Sequence, residues 1–332
     1  MKLLNDYWAN RATERAAQNY NRTKEYLKFL EKLFYETQMD IDKQIFFYLS
    51  EMAERHGTGM PGIKKKLNKK ELEAFKVNWE EFLNTNYKAL SADGGRQLKK
   101  MEDVLDMYNI SRLQALELQI VAEINKLYGQ FFLDTEKLLE KEYRTIFREV
   151  NRELNVINLK DYKHMQKLSS KVVKKAIYRP WAPDGRAFSS RIWSNKEKVV
   201  KELHLELSRS LMLGENPRKT GKRLAKKLNT AESAAYRLAN TEMSNILSSA
   251  TYDGYKEHGI EKYKIVAYID NRTSEICREM NGKVFYLKDK KTGVNYPPFH
   301  PHCRTTTVPV LRTKKELIEA TKRAKKIFKE GG

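Results

Sequence analysis

Both cysteines of the chain and two of its six histidines fall between Asp270 and Arg304. Cys277 stands alone, and the string Pro297-Pro298-Phe299-His300-Pro301-His302-Cys303-Arg304 carries the rest. Thiolate and imidazole together suit zinc, which in a structural site takes four N or S ligands in a tetrahedron. In an extended backbone His302 and Cys303 point to opposite faces, so the two cannot readily reach one ion. A turn at Pro301 would instead bring His300 and Cys303 to Cys277, a set of three. With the count one short, the cluster reads first as a satisfied structural knot and second as a zinc site. No other cofactor is indicated. In the structural reading Asp270 and Arg272 pin the loop by charge-assisted hydrogen bonds, Gly282 permits a turn, and Pro297 and Pro298 stiffen the approach.

A catalytic reading competes. His300, His302 and Cys303 superficially match a metal-dependent, DNA-processing nuclease of the ββα type, in which a histidine activates water and a following helix supplies further ligands. The residues after Cys303, Arg-Thr-Thr-Thr-Val-Pro-Val, are β-branched and proline-containing, so a strand is expected where that helix should be. A cysteine-histidine hydrolase lacks an orienting third residue, and no phosphate-cradling loop occurs. The chain therefore reads as non-enzymatic, with no catalytic residue assigned.

The elements that must hold this cluster are mostly helical. Residues 1 to about 56 form a helix on the spacing of Tyr26, Phe29, Leu30, Leu33 and Phe34, broken by His56 to Gly62. A shorter helix covers Glu71 to Leu90. Ser111 and Gln114 have capping-box spacing at the head of a stripe of Leu113, Leu116, Ile120, Ile124, Leu127 and Phe131, and helical spacing continues to Val150 after a possible relief at Phe132 to Asp134. Residues 179–195, with two prolines, a glycine and two tryptophans, read as an irregular connection. Helix resumes to Met212, and Gly214 to Pro217 marks a boundary. Beyond it come a basic helix from Lys219 to Leu228, a helix from Ala231 to Glu257 capped by Thr230 and closed by Gly259, and strands at Tyr263 to Ile269, Val284 to Tyr286 and Thr305 to Leu311. Lys314 to Lys329 is an amphipathic basic helix. The fold class expected is mainly α: an elongated helical region over 1–213, a small α+β module over 214–312 with a short antiparallel sheet packed on helices, and a basic helix over 313–332.

Hydrophobic residues are 40% and charged residues 32% of the 332, enough for packed helices and too polar for a membrane protein. No run suits a membrane span, and the charged N-terminus lacks the apolar core of a secretion signal, so folding in a cytoplasm is expected. The net charge is +21, of which +12 lies in residues 161–230. There Lys163, Lys167, Lys171, Lys174, Lys175 and Arg179 recur at helical spacing, and Lys219, Lys222, Arg223, Lys226 and Lys227 form a second group. The expected DNA contacts are Lys167, Lys171, Lys174, Lys175, Lys222, Arg223, Lys226 and Lys227, which would neutralise phosphates of double-stranded DNA without reading sequence. Solvated helix faces are the plainer alternative.

The ordered combination Asp270-Asn271-Arg272-Thr273, Cys277, Gly282 and Pro297-Pro298-Phe299-His300-Pro301-His302-Cys303-Arg304 resembles the Mu-F-like phage head morphogenesis, or minor head, proteins over roughly 225–311. Many members carry further cysteines where this chain has Ser274 and Thr305, and Arg-Thr-Glu where it has Asn240-Thr241-Glu242. The resemblance implies a non-enzymatic structural protein in the virion, inside the capsid, assembled in the host bacterial cytoplasm. Its implied partners are the portal protein and other procapsid components.

Overall fold

The computed structural model describes residues 2–56, 65–158, 168–213, 215–310 and 314–329. Helix α1 (Lys2–His56) buries Trp8, Ala12, Arg15, Asn19, Thr23, Tyr26, Leu30, Phe34, Thr37, Ile41 and Ile45. These positions advance by four, three and four residues, a period near 3.67 that keeps one face of a long helix aligned with its neighbour. Phe29, expected on the apolar face, is instead 41% exposed, because the buried row steps from Tyr26 to Leu30 and Phe34 and leaves position 29 beside it.

Helix α2 (Lys69–Leu90) opens with a capping box in which Asn68 accepts from the Glu71 backbone N–H and the Glu71 carboxylate accepts from Asn68 N–H. The short α3 (Arg96–Glu102) follows, with a 3-10 turn at Asp103–Asp106. Helix α4 (Arg112–Asn158) carries the Ser111–Gln114 box, at 2.9 and 3.2 Å, and runs through Phe132 to Asp134 without relief. Then come α5 (Ser170–Ile177) and α6 (Phe188–Met212), so the irregular stretch ends at residue 187 rather than 195, and Trp193 is helical. Helix α7 (Pro217–Glu257) is continuous: the two helices expected on either side of Thr230 are one. Thr230 does not cap, since its hydroxyl donates to the Lys226 carbonyl at 3.1 Å, one turn back inside the helix. Gly259, at φ +66°, closes α7 as expected.

The sheet comprises β1 (Lys262–Val266), β2 (Val284–Tyr286) and β3 (Thr306–Pro309), in antiparallel order β2-β1-β3. Lys264 faces Val284 on one side and Val308 on the other. Helix α8 (Glu275–Met280) lies between β1 and β2 in the chain, and α9 (Lys314–Lys329) follows β3.

The chain forms two compact units, and α1, α4 and α7 each contribute to both. One unit comprises 1–26, 136–188 and 237–332. In it Arg11 and Arg15 pair with Glu153 at 3.0 and 2.9 Å, and Arg22 pairs with buried Glu142 at 2.6 Å. Tyr255 and Tyr296 are buried by the sheet: Tyr255 donates to the Thr307 carbonyl and Tyr296 to that of Ser248 on α7. The small sheet thus borrows its core from a helix, which a three-stranded sheet needs for stability. The other unit comprises 27–135 and 189–236. Its core includes Phe75, Trp79, Leu83, Leu98 and Met101, with the Trp79 indole donating to the Met101 carbonyl at 2.8 Å. Among the described residues no helix is long and apolar enough to cross a membrane.

Candidate metal centre

The chain leaves β1 at Val266 and makes a turn governed by Asp270. The Asp270 carboxylate accepts from the Arg272 backbone N–H at 2.9 Å and from the Thr273 hydroxyl at 3.1 Å. Arg304 is its principal partner, with guanidinium nitrogens at 2.6 and 2.8 Å. That pairing, ahead of the Arg272 and Thr273 contacts, holds the Asp270 carboxyl well below the usual carboxylate range, against the opposing effect of burial. The Arg272 guanidinium is more distant, at 3.5 Å. Asp270 thus pins the loop through Arg272, as expected, and through a closer pair with Arg304. Arg304 also lies over the Tyr268 ring.

Ser274 then caps α8, accepting from the Cys277 N–H, and this places buried Cys277 in the helix's first turn. After α8, Asn281 accepts from Ala267 N–H and Gly282, at φ +83°, turns the chain into β2. The other half of the cluster arrives on the segment before β3, which has a cis Pro297–Pro298 bond. A tight turn closes with Cys303 N–H donating to the His300 carbonyl, with His302 in the left-handed region at φ +60°. This turn puts His300 and Cys303 on one side and leaves His302 exposed outside the group.

The ligand atoms of Cys277, His300 and Cys303 all lie within 4.8 Å of one another. The two Sγ atoms are 3.8 Å apart, and Cys277 Sγ is 3.1 Å from His300 Nε2. The hydrogen bond between the two thiols holds Cys303 down at about 6 against the effect of burial, while the same bond and burial push Cys277 up. His300 Nδ1 is 2.7 Å from the Pro301 carbonyl. A carbonyl only accepts, so Nδ1 carries the proton and the Nε2 lone pair is turned toward the sulfurs. Ser274 Oγ reaches Nε2 at 2.8 Å. Ala267 and Phe299 pack over the sulfurs, and Ser244 on α7 donates to the Cys303 carbonyl.

Ser274 and Thr305 were legible only as substitutions for cysteine, although the Ser-x-x-Cys spacing at a helix start signals a cap. Glu242 on α7 is buried and accepts from the Trp181 indole at 2.9 Å.

The cationic candidates divide. Lys163 and Lys167 lie outside the described residues. Lys171, Lys175, Lys222 and Lys226 are exposed. Lys174 pairs with Glu136, Arg223 with Glu215 and Glu206, and Lys227 with Glu202 and Glu206, so part of their charge is met within the protein.

Fold and site together define a mainly helical chain bearing a small α+β module knotted by a thiol–imidazole group and a two-point ion pair. Residues 201–308, about a third of the chain, match the family model described as phage Mu protein F like protein, which upholds the resemblance read from the Asp270–Arg304 motif. An uncharacterized protein of Haemophilus influenzae (strain ATCC 51907 / DSM 11121 / KW20 / Rd) is 27% identical over 90 residues, 27% of this chain. The chain spans 20% of that relative's length. No solved structure matches.

Proposed function

We propose that this chain is a minor head protein of a tailed bacteriophage. It acts in head morphogenesis near the portal, with the portal protein and other procapsid components as partners, and resides inside the capsid after assembly in the host cytoplasm. The observation that carries this reading is the Mu-F-like match over 201–308, which contains the whole Asp270–Arg304 knot. The knot's chemistry is consistent with an architectural role: the carboxylate, guanidinium, thiols and imidazole named above are turned on one another. A net charge of +21 further suits a protein lying against packaged double-stranded DNA, bound through phosphates without sequence preference.

The nuclease reading is weaker. His302 stands outside the Cys277–His300–Cys303 group, and the residues after Cys303 enter β3 instead of a ligand-bearing helix. Incubation of the protein with duplex DNA and Mg²⁺, Mn²⁺ or Zn²⁺ separates the two. Salt-sensitive retention without cleavage is expected, and metal-dependent nicking abolished by His300→Ala would overturn the structural assignment.

The head-assembly role is tested by deleting the coding sequence from the phage or prophage genome that carries it. Loss of DNA-filled heads, restored by the chain supplied in trans, is the expected result. Normal yields of infectious particles without the chain would refute it.

A further inference from the structure

We infer that Cys277, His300 and Cys303 bind one Zn²⁺ per chain as a three-ligand site whose fourth, oxygen position is set by Ser274. Two sulfurs bound tetrahedrally at about 2.3 Å lie about 3.8 Å apart. That is the separation of Cys277 Sγ and Cys303 Sγ, whereas a disulfide would need about 2.05 Å. A thiol–thiol hydrogen bond has a similar length, so the imidazole decides between these readings.

His300 presents what a ligating histidine requires. One ring nitrogen donates to a main-chain carbonyl, which fixes the tautomer, and the other turns a bare lone pair toward the remaining ligands. In the metal-free arrangement that single lone pair is approached by both Ser274 Oγ and Cys277 Sγ. One cation among the four atoms replaces this crowding: it takes the Nε2 lone pair, and both sulfurs bind as thiolates, any proton still on them passing to solvent. A set of two sulfurs and one imidazole nitrogen favours zinc over hard cations such as Mg²⁺ or Ca²⁺. Nε2 and Cys277 Sγ stand 3.1 Å apart against about 3.6 Å in a tetrahedron with ordinary zinc bond lengths, so binding requires that pair to open by about half an ångström while His300 and Cys303, within 4.8 Å, settle to the same separation.

Ser274 distinguishes this site from a closed four-ligand one. Its hydroxyl is held on the cluster by its own role as the α8 cap and lies 2.8 Å from His300 Nε2. Oxygen from Ser274, or from a water that it holds, completes the coordination. The inference stands on the site geometry and does not depend on the head-assembly role.

The test uses the full chain purified without a histidine tag, stripped by chelator and reloaded. One zinc per chain is expected, together with Co²⁺ absorption showing tetrahedral d–d bands and sulfur-to-metal charge transfer, both lost in Cys277→Ser. Ser274→Cys should retain zinc against at least tenfold more competing chelator, since it turns three fixed ligands into four. Folded protein, judged by circular dichroism, that takes up neither metal would overturn the inference, as would zinc bound equally tightly by Cys277→Ser. Equal chelator resistance in Ser274→Cys and the parent would overturn the placement of Ser274 at the fourth position.

Discussion

Asp270 and Arg304 meet in a two-point ion pair across 34 residues of sequence, with oxygen–nitrogen distances of 2.6 and 2.8 Å. One residue opens the loop after β1, and the other follows Cys303. The pair therefore fixes where the second cysteine sits relative to the turn that leads to the first.

Because Arg304 depresses the Asp270 carboxyl in the folded protein, the pair contributes stability that is fully present above the unfolded carboxyl's pKa of about 3.9. It is lost as pH falls through that value toward the folded one. Asp270→Asn should melt below the parent at pH 7, and the gap should narrow progressively below about pH 4. Thermal melts of both proteins from pH 7 to 3 check this, and a gap that does not change with pH contradicts it.

Gly129 on α4 lies against the last turn of α2 so closely that a Cβ there would fall 2.0 Å from the Ala89 carbonyl oxygen. Alanine is the better helix former by about 1 kcal/mol, yet the clash is with backbone. Gly129→Ala should therefore destabilise by about 1–3 kcal/mol or more in denaturant melts. A stabilised variant would mean that the two helices are further apart.

Thr230 separates two accounts of α7. As a cap its removal would cost about 1 kcal/mol. As an exposed interior residue, Thr230→Ala should leave stability unchanged or raise it by up to about 0.7 kcal/mol. Chemical denaturation of the pair distinguishes them, with measurable destabilisation counting against the continuous helix.

What the sequence disclosed, and what it withheld, follows from the range of the interactions. The apolar stripe of α4, the Ser111–Gln114 box, the Val284–Tyr286 strand and the Gly259 stop depend on neighbours within a few residues, and each appears where expected. The buried face of α1 was misread at Phe29. Arg15 and Asn19 look like surface residues until Glu153 and Glu142, more than a hundred residues away, supply their partners. Thr230 has the side chain of a cap but lies inside a helix, where threonine is accommodated by bonding back to the preceding turn. The Cys277–His300–Cys303 grouping was legible because Pro301 signalled a turn. That Arg304 would join Arg272 on the Asp270 carboxylate, and at shorter range, was not, since only the fold brings residues 34 apart together.

DNA association should reside in the cations that the protein does not neutralise itself. Replacing Lys222 and Lys226 together by alanine should lower the steepness of log affinity against log salt by up to about 1.8, at roughly 0.9 per phosphate contact. Arg223→Ala should reduce stability more than salt dependence, because Glu215 and Glu206 already hold that side chain. Titrations with duplex DNA at several salt concentrations test both, and an unchanged slope in the double variant would remove Lys222 and Lys226 from the interface.

The proposed role makes this polypeptide a built-in part of the phage head. Heads purified by density gradient and analysed by quantitative mass spectrometry test it most directly. The chain is expected in DNA-filled heads at a constant ratio to the major capsid protein. Heads free of the chain, with all of it left in the soluble fraction, would contradict that claim.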